Sequence, residues 1–185
     1  MRLFIGVWLS PEMTVEAQNF IASVQKNYPG YKWTSPENLH FTLKFLGEVP
    51  REKLAVLKSS LNSAVRQDSF LLRLGSIGYF PSVTRPRIIW VGLVAGEAHL
   101  MTLAQTVENS CAQAGFSKED KPFQPHLTIA RARDDFSLPK ITQDIPTSFK
   151  TETQVSKISL IESQLLPKGP VYKVIEDFHL LSGPK

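Results

Sequence analysis

Two tetrads of the same kind stand nearly half the chain apart: His40-Phe41-Thr42-Leu43 and His126-Leu127-Thr128-Ile129. Both read His, apolar, Thr, apolar, a weak internal repeat. In a strand the side chains alternate between faces, so a His and a Thr two residues apart share one face and the apolar residues share the other. Phe41 and Leu43, like Leu127 and Ile129, can then pack under helices while the polar pairs line the opposite face. If the two halves are related by a rough twofold, the polar pairs meet across one cleft.

The rest of the chain can supply such a scaffold. Leu3 to Leu9 is apolar and β-prone. Ser10-Pro11-Glu12 comes next, with an N-cap, a first-turn proline and a first-turn acid. The helix they start carries Met13, Ala17, Phe20, Ile21 and Val24 on one stripe and ends at Pro29-Gly30. A second helix is expected from about Arg51 to Val65 on Leu54, Leu57 and Leu61. A third, about Glu97 to Ala114, uses Leu100, Leu103, Val107 and Cys111 and stops at Gly115. Extended runs fall at Leu39 to Leu46, Phe70 to Phe80, Arg87 to Val94, His126 to Ala132, Gln154 to Leu166 and Val171 to Leu181. The short connections at Pro81 to Pro86 and Pro167 to Pro170 favour antiparallel hairpins. The fold class is α+β, in a single domain over residues 1–185. Arg133 to Lys150 has no clear period and reads as a loop with room for one short helix.

At 185 residues, 42% of them hydrophobic and 21% charged, the chain can bury a full core and lacks the composition of a disordered protein. The first apolar run is too short to span a membrane. It passes directly into a helix start with no small-residue cleavage pattern, so it is expected to be a first strand and not a signal peptide. One cysteine, Cys111, cannot form an internal disulfide, so a reducing cytoplasm is expected. The net charge of +4 permits a polyanionic partner without pointing to one.

The paired residue types suit transfer at phosphorus. One imidazole can hold a proton for a leaving oxygen while the other, neutral, takes one from the attacking water. A threonine hydroxyl can donate to a non-bridging phosphate oxygen. A strained five-membered 2′,3′-cyclic phosphate fits such a site, because release of ring strain lessens the need for a metal.

With its flanks the pattern becomes specific. Arg2-Leu-Phe-Ile opens the chain, and Pro36-Glu-Asn-Leu-His40-Phe-Thr42-Leu-Lys-Phe-Leu-Gly47 holds the first tetrad. Pro86-Arg-Ile-Ile-Trp90-Val and Gly115-Phe116 come after it, and Pro122-Phe-Gln-Pro-His126-Leu-Thr128-Ile-Ala-Arg131 holds the second. The sequence resembles the two-histidine (2H) phosphoesterase superfamily, most closely its bacterial RNA 2′,3′-cyclic phosphodiesterase branch, also called the 2′-5′ RNA ligase or LigT-like family. The resemblance implies a bilobal fold, with two related antiparallel sheets flanked by helices around a central cleft. It implies hydrolysis of a terminal 2′,3′-cyclic phosphate to a 2′-phosphate, on RNA ends or small cyclic nucleotides. His40 would be the proton donor and His126 the proton acceptor, with Thr42, Thr128 and Arg131 binding substrate and with neither metal nor cofactor. A monomer is expected.

Some points stay open. Strict alternation from His126 puts Arg131 on the apolar face with Leu127 and Ile129, so it reaches a phosphate only if the strand ends or bulges there. Lys44 has the parity of Thr42 and is a weaker candidate. Two histidines could instead hold a metal, but no Asp, Glu or Cys stands at matching offsets. His99 and His179 are expected to face solvent, and Cys111 to be a buried, inert thiol. Trp33, Phe41, Trp90 and Phe123 read as core, while Phe4 or Trp8 could stack on a base. Arg85 and Arg87 could touch RNA phosphates or simply belong to a solvated loop. Joining or cleaving 2′,5′ linkages would use the same acid and base. A binding module without turnover is the remaining alternative, against which the two intact histidines argue.

Overall fold

The computed structural model describes residues 1–133, 145, 147–167 and 169–182. The chain runs β1 (Arg2–Trp8), α1 (Pro11–Val24), β2 (Tyr31–Trp33), β3 (His40–Glu48), α2 (Leu54–Ala64), β4 (Phe70–Ser82), β5 (Arg85–Ala95) and α3 (Glu97–Gln113). It continues with β6 (Leu127–Ala132), β7 (Glu152–Val155), β8 (Lys157–Leu166) and β9 (Gly169–His179). The helix signals act as the sequence implies. Ser10 caps α1 by accepting from the Met13 amide at 3.2 Å, and Gly115, at φ +83°, lies just past the end of α3 in the left-handed region that favours glycine.

The strands form one sheet in the order β7-β4-β5-β6-β3-β1-β8-β9, with β2 pairing along β6. Every ladder between these nine strands is antiparallel. The sheet falls into two four-stranded halves, β7-β4-β5-β6 and β3-β1-β8-β9. They join at a single residue pair, Phe41 opposite Leu127. Those are the residues directly after the two histidines, so the pseudo-twofold passes between the tetrads. The architecture is α+β and fits two related halves, here sharing one sheet.

One run divides where the sequence gives no break. Gln154 to Leu166 reads as one strand, yet Ser156 interrupts it, and β7 pairs with β4 while β8 pairs with β1. The chain crosses between halves at that residue. The three-residue strand β2 is too short to show a period and escapes a reading of the sequence. Most of the stretch from Arg133 to Lys150 lies outside the described residues.

The core lies on the helix side of the sheet. Leu3, Ile5 and Val7 of β1, Phe41 and Leu43 of β3, Ile89 and Val91 of β5, and Leu127 and Ile129 of β6 all belong to it. They meet Met13, Ala17 and Ile21 of α1, Leu57 and Leu61 of α2, and Leu100, Leu103, Val107 and Cys111 of α3. Each Val, Leu, Ile, Phe or Met among them contributes about 1.5–3 kcal/mol by leaving water. The result is a rigid floor behind the polar face of each tetrad. No helix among the described residues is long and apolar enough to cross a membrane.

Candidate active site

Each histidine is held from behind by its own chain. The His40 Nδ1 lies 2.7 Å from the Asn38 carbonyl oxygen, and the His126 Nδ1 lies 2.8 Å from that of Gln124. A carbonyl can only accept, so in each neutral ring the proton sits on Nδ1 and the Nε2 lone pair is left available. In the first half the Thr42 hydroxyl lies 3.0 Å from the His40 Nε2 and donates to it. These carbonyls, two residues before each histidine, belong to the backbone, and residue identities give no sign of them.

A bulge in each motif decides which way the next side chains point. Along β1 and β3, Gly6 pairs with Thr42 and Ile5 with Lys44, which leaves Leu43 as an extra residue. Along β5 and β6, Trp90 pairs with Thr128 and Ile89 with Ala130, which leaves Ile129 extra. An extra residue reverses the alternation beyond it. Arg131 is thereby returned to the face of His126 and Thr128, resolving the conflict with strict parity. Lys44 is turned the other way, which corrects its candidacy. It is 3% exposed, and its ammonium contacts the Glu108 carboxylate at 2.8 and 3.0 Å and the Ser117 carbonyl at 2.9 Å. Phe45 takes the cleft-side position instead, 59% exposed.

Aromatic rings wall both histidines. Around His40 stand Phe4, Tyr172 and Trp8, with ring centroids at 4.8, 5.2 and 5.5 Å. Around His126 stand Phe80 at 5.2 Å and Trp90 at 6.2 Å. Trp90, expected in the core, instead faces the cleft, lying over Gly78, where a Cβ would come within 2.1 Å of the indole. The indole N–H groups of Trp8 and Trp90 are buried without a hydrogen-bond partner among the described residues. Neither Tyr172 nor Phe80 carried any signal in the sequence beyond strand propensity.

The walls lower the basicity of both rings. Burial pushes His40 down to about 4, against the opposing pull of the Asn38 carbonyl, and the positive charges of Arg131 and His126 push the same way. Burial also lowers His126, opposed by Gln124 and assisted by Arg131. Burial raises Tyr172, against the pull of Arg131 and Arg2. One guanidinium, that of Arg131, therefore acts on both imidazoles and on the Tyr172 phenol. His99 and His179 are exposed on other surfaces, and the Cys111 thiol is buried, its pKa pushed up to about 12. Among the described residues no three of His, Cys, Asp and Glu are grouped so as to hold a metal.

The model of the 2′-5′ RNA ligase superfamily matches residues 13–165. The chain belongs to that superfamily. Relatives named RNA 2′,3′-cyclic phosphodiesterase include one from Aquifex aeolicus, 34% identical over 97% of each chain. Another, from Thermotoga maritima, is 35% identical over 99% of this chain and 97% of its own. A solved structure from Thermus thermophilus superposes with a TM-score of 0.82 at 33% identity, covering all of both chains. E. coli LigT complexed with 3′-AMP gives 0.79 at 28% identity over 97% of each. Within the superfamily match lie both tetrads, Arg131 and the buried Lys44–Glu108 pair. Arg2, Phe4, Trp8 and Tyr172 lie outside it, and all but Arg2 touch the His40 ring directly.

Proposed function

We propose that the protein is an RNA 2′,3′-cyclic phosphodiesterase that opens the cyclic phosphate to a 2′-phosphate with two histidines and no metal. The observation that carries this is the matched pair of rings: two imidazoles, each fixed through Nδ1 by a backbone carbonyl, stand just ahead of the one residue pair that joins the halves, and the charge of Arg131 acts on both. His126, neutral with its Nε2 lone pair unused by the described residues, takes a proton from water as the water oxygen bonds to phosphorus. The P–O3′ bond breaks, and protonated His40 gives its Nε2 proton to the departing O3′. Thr42, Thr128 and Arg131 hold the non-bridging oxygens.

His40 is neutral in the free protein at pH 7, so it must take up a proton from solvent as the substrate binds. A monoanionic cyclic phosphate between Arg131 and the ring replaces net repulsion with attraction and favours the imidazolium. The two unpartnered indole N–H groups offer further donors to a bound oxygen. The relatives of that name, similar along almost the full chain, support the choice of substrate, and the nucleotide bound to E. coli LigT supports a nucleotide end.

The test is incubation with oligoribonucleotides ending in a 2′,3′-cyclic phosphate, with excess chelator, and identification of the product by phosphorus NMR. A 2′-phosphate is expected. His40→Ala and His126→Ala should each lower turnover at least about a hundredfold with the fold intact. Near-normal turnover in both folded variants would sink the mechanism, and inactivation by chelator reversed by one metal would replace it with a metal-dependent one.

A further inference from the structure

The cleft face is not symmetric in charge. In the first half it carries Phe4, Trp8 and Tyr172 around His40, the exposed Phe45 beside Phe4, and one cation, Arg2, whose charge acts on Tyr172. In the second half the strands beside His126 carry cations. Arg131 of β6 lies directly opposite Lys32 of β2, and directly opposite residues in an antiparallel ladder share a face. On the other flank Arg131 lies opposite Ile88 of β5. Beyond Ile88 the pairing passes a bulge at Arg87 and ends at Ser82 opposite Arg85, which restores Arg85 to the same face.

Lys32, Arg85 and Arg131 are all exposed, and among the described residues none of the three forms an ion pair with an acid. Like charges directly across a ladder are destabilising, so the Lys32–Arg131 pair opposes folding unless something anionic lies on it. The Lys32 ammonium also sits at the mouth of the cleft, 3.5 Å from where a Cβ on Gly169 would stand at the tip of the β8–β9 hairpin. That hairpin belongs to the opposite half and is tied to the approach to His40 by the Asn38 amide, which donates to the Pro170 carbonyl at 3.1 Å.

We infer that Lys32 and Arg85, flanking Arg131, bind the phosphodiester backbone of an RNA strand upstream of its terminal nucleotide. The inference rests on the phosphodiesterase reading and deepens it. The reacting phosphate is held at the histidines and Arg131. The next phosphates of the strand then fall where the sheet presents the outer cations: Lys32 one strand from Arg131 at a spacing of about 4.8 Å, and Arg85 on the other flank, farther out along β5 beyond the bulge at Arg87. The aromatic half carries Arg2, whose charge acts on Tyr172, but the rings directly around His40 offer those phosphates no counter-charge.

A mononucleotide has no upstream phosphate, which makes the test selective. The kcat/KM of wild type, Lys32→Ala, Arg85→Ala and the double variant would be measured on a 2′,3′-cyclic nucleoside monophosphate and on an oligoribonucleotide ending in a 2′,3′-cyclic phosphate. The double variant should lose about tenfold or more on the oligomer at low salt, with the slope of log kcat/KM against log salt reduced by about 1.4, since each contact to a single strand contributes about 0.7. On the mononucleotide it should match wild type. Equal values on both substrates, equal losses on both, or a wild type that turns over the mononucleotide but not the oligomer would overturn the inference. A wild type inactive on both would instead remove the phosphodiesterase reading itself.

Discussion

Replacing Lys44 by Met tests whether the strand of the first histidine and the approach to the second are locked together by one buried charge. The ammonium, its side chain 2% exposed, uses its three donors on the two Glu108 oxygens and the Ser117 carbonyl. Glu108, 17% exposed, also accepts from the Glu119 amide at 3.0 Å, so the pair pins residues 117–119 ahead of the second motif. Lys44→Met keeps the volume but leaves the carboxylate and a carbonyl without their cation. Breaking a buried pair by removing one partner costs about 3–5 kcal/mol, and the residual exposure of Glu108 puts the expectation at about 3 kcal/mol. Lys44→Met with Glu108→Leu removes both charges and should return to within about 1 kcal/mol of wild type, because the uncompensated charge is what destabilises. Urea unfolding of the four proteins of the cycle gives both numbers. A single variant that costs under about 1 kcal/mol, or a double variant no better than the single, would refute the account.

His40 should make the fold sensitive to acid. Its folded pKa is lowered to about 4 from 6.5, so as pH falls below 6.5 the unfolded chain takes a proton that the folded one refuses. About 3 kcal/mol is lost by pH 4, below which the loss is complete. His40→Asn should remove that part of the slope in urea midpoints between pH 7 and 4, and an unchanged slope would contradict the burial of a neutral ring. Gly78→Ala should displace the Trp90 indole from beside His126, since the added Cβ would overlap the ring. A change in tryptophan fluorescence with activity lowered about tenfold or more is expected, on the scale of a misplaced catalytic wall, and an unaltered spectrum with full activity would show that the ring does not rest there.

The helices and the two tetrads were legible because each rests on a short, local rule: a cap, a stripe, a two-residue alternation. What escaped was set by pairing. Nothing in Thr42-Leu43-Lys44 or Thr128-Ile129-Ala130-Arg131 marks a bulge, since the apolar alternation of Phe41, Leu43 and Phe45 runs on unbroken. A strand read by itself therefore puts Lys44 in the cleft and Arg131 behind it. Only the register against β1 and β5 shows the extra residue in each motif. Ser156 is similar, since the division of its run into β7 and β8 depends on two different partners and on no turn residue. Trp90 has the composition of a core position and faces the cleft because Gly78 opposite it leaves room for the ring.

The twin bulges also account for a site that is symmetric in backbone and asymmetric in chemistry. They bring Lys44 and Ala130 to equivalent buried positions, and Phe45 and Arg131 to equivalent cleft-side positions. At the buried position one half uses a lysine to anchor the segment before the second histidine, while the other needs only a methyl group. At the cleft-side position one half presents a ring and the other a guanidinium. A nucleotide end has the same asymmetry, with an apolar base on one side of its ribose and a charged backbone on the other. Under the proposed reading, exchange of the two cleft-side groups through Phe45→Arg with Arg131→Phe should not restore what Arg131→Phe loses, even though the scaffold treats the positions alike. The outer cations Lys32 and Arg85 remain on the second half, and the His40 ring would then face a new positive charge within its aromatic wall. Recovery of turnover on a cyclic-phosphate end by the exchanged protein would mean that the two halves are interchangeable and that the direction of the RNA strand is set elsewhere.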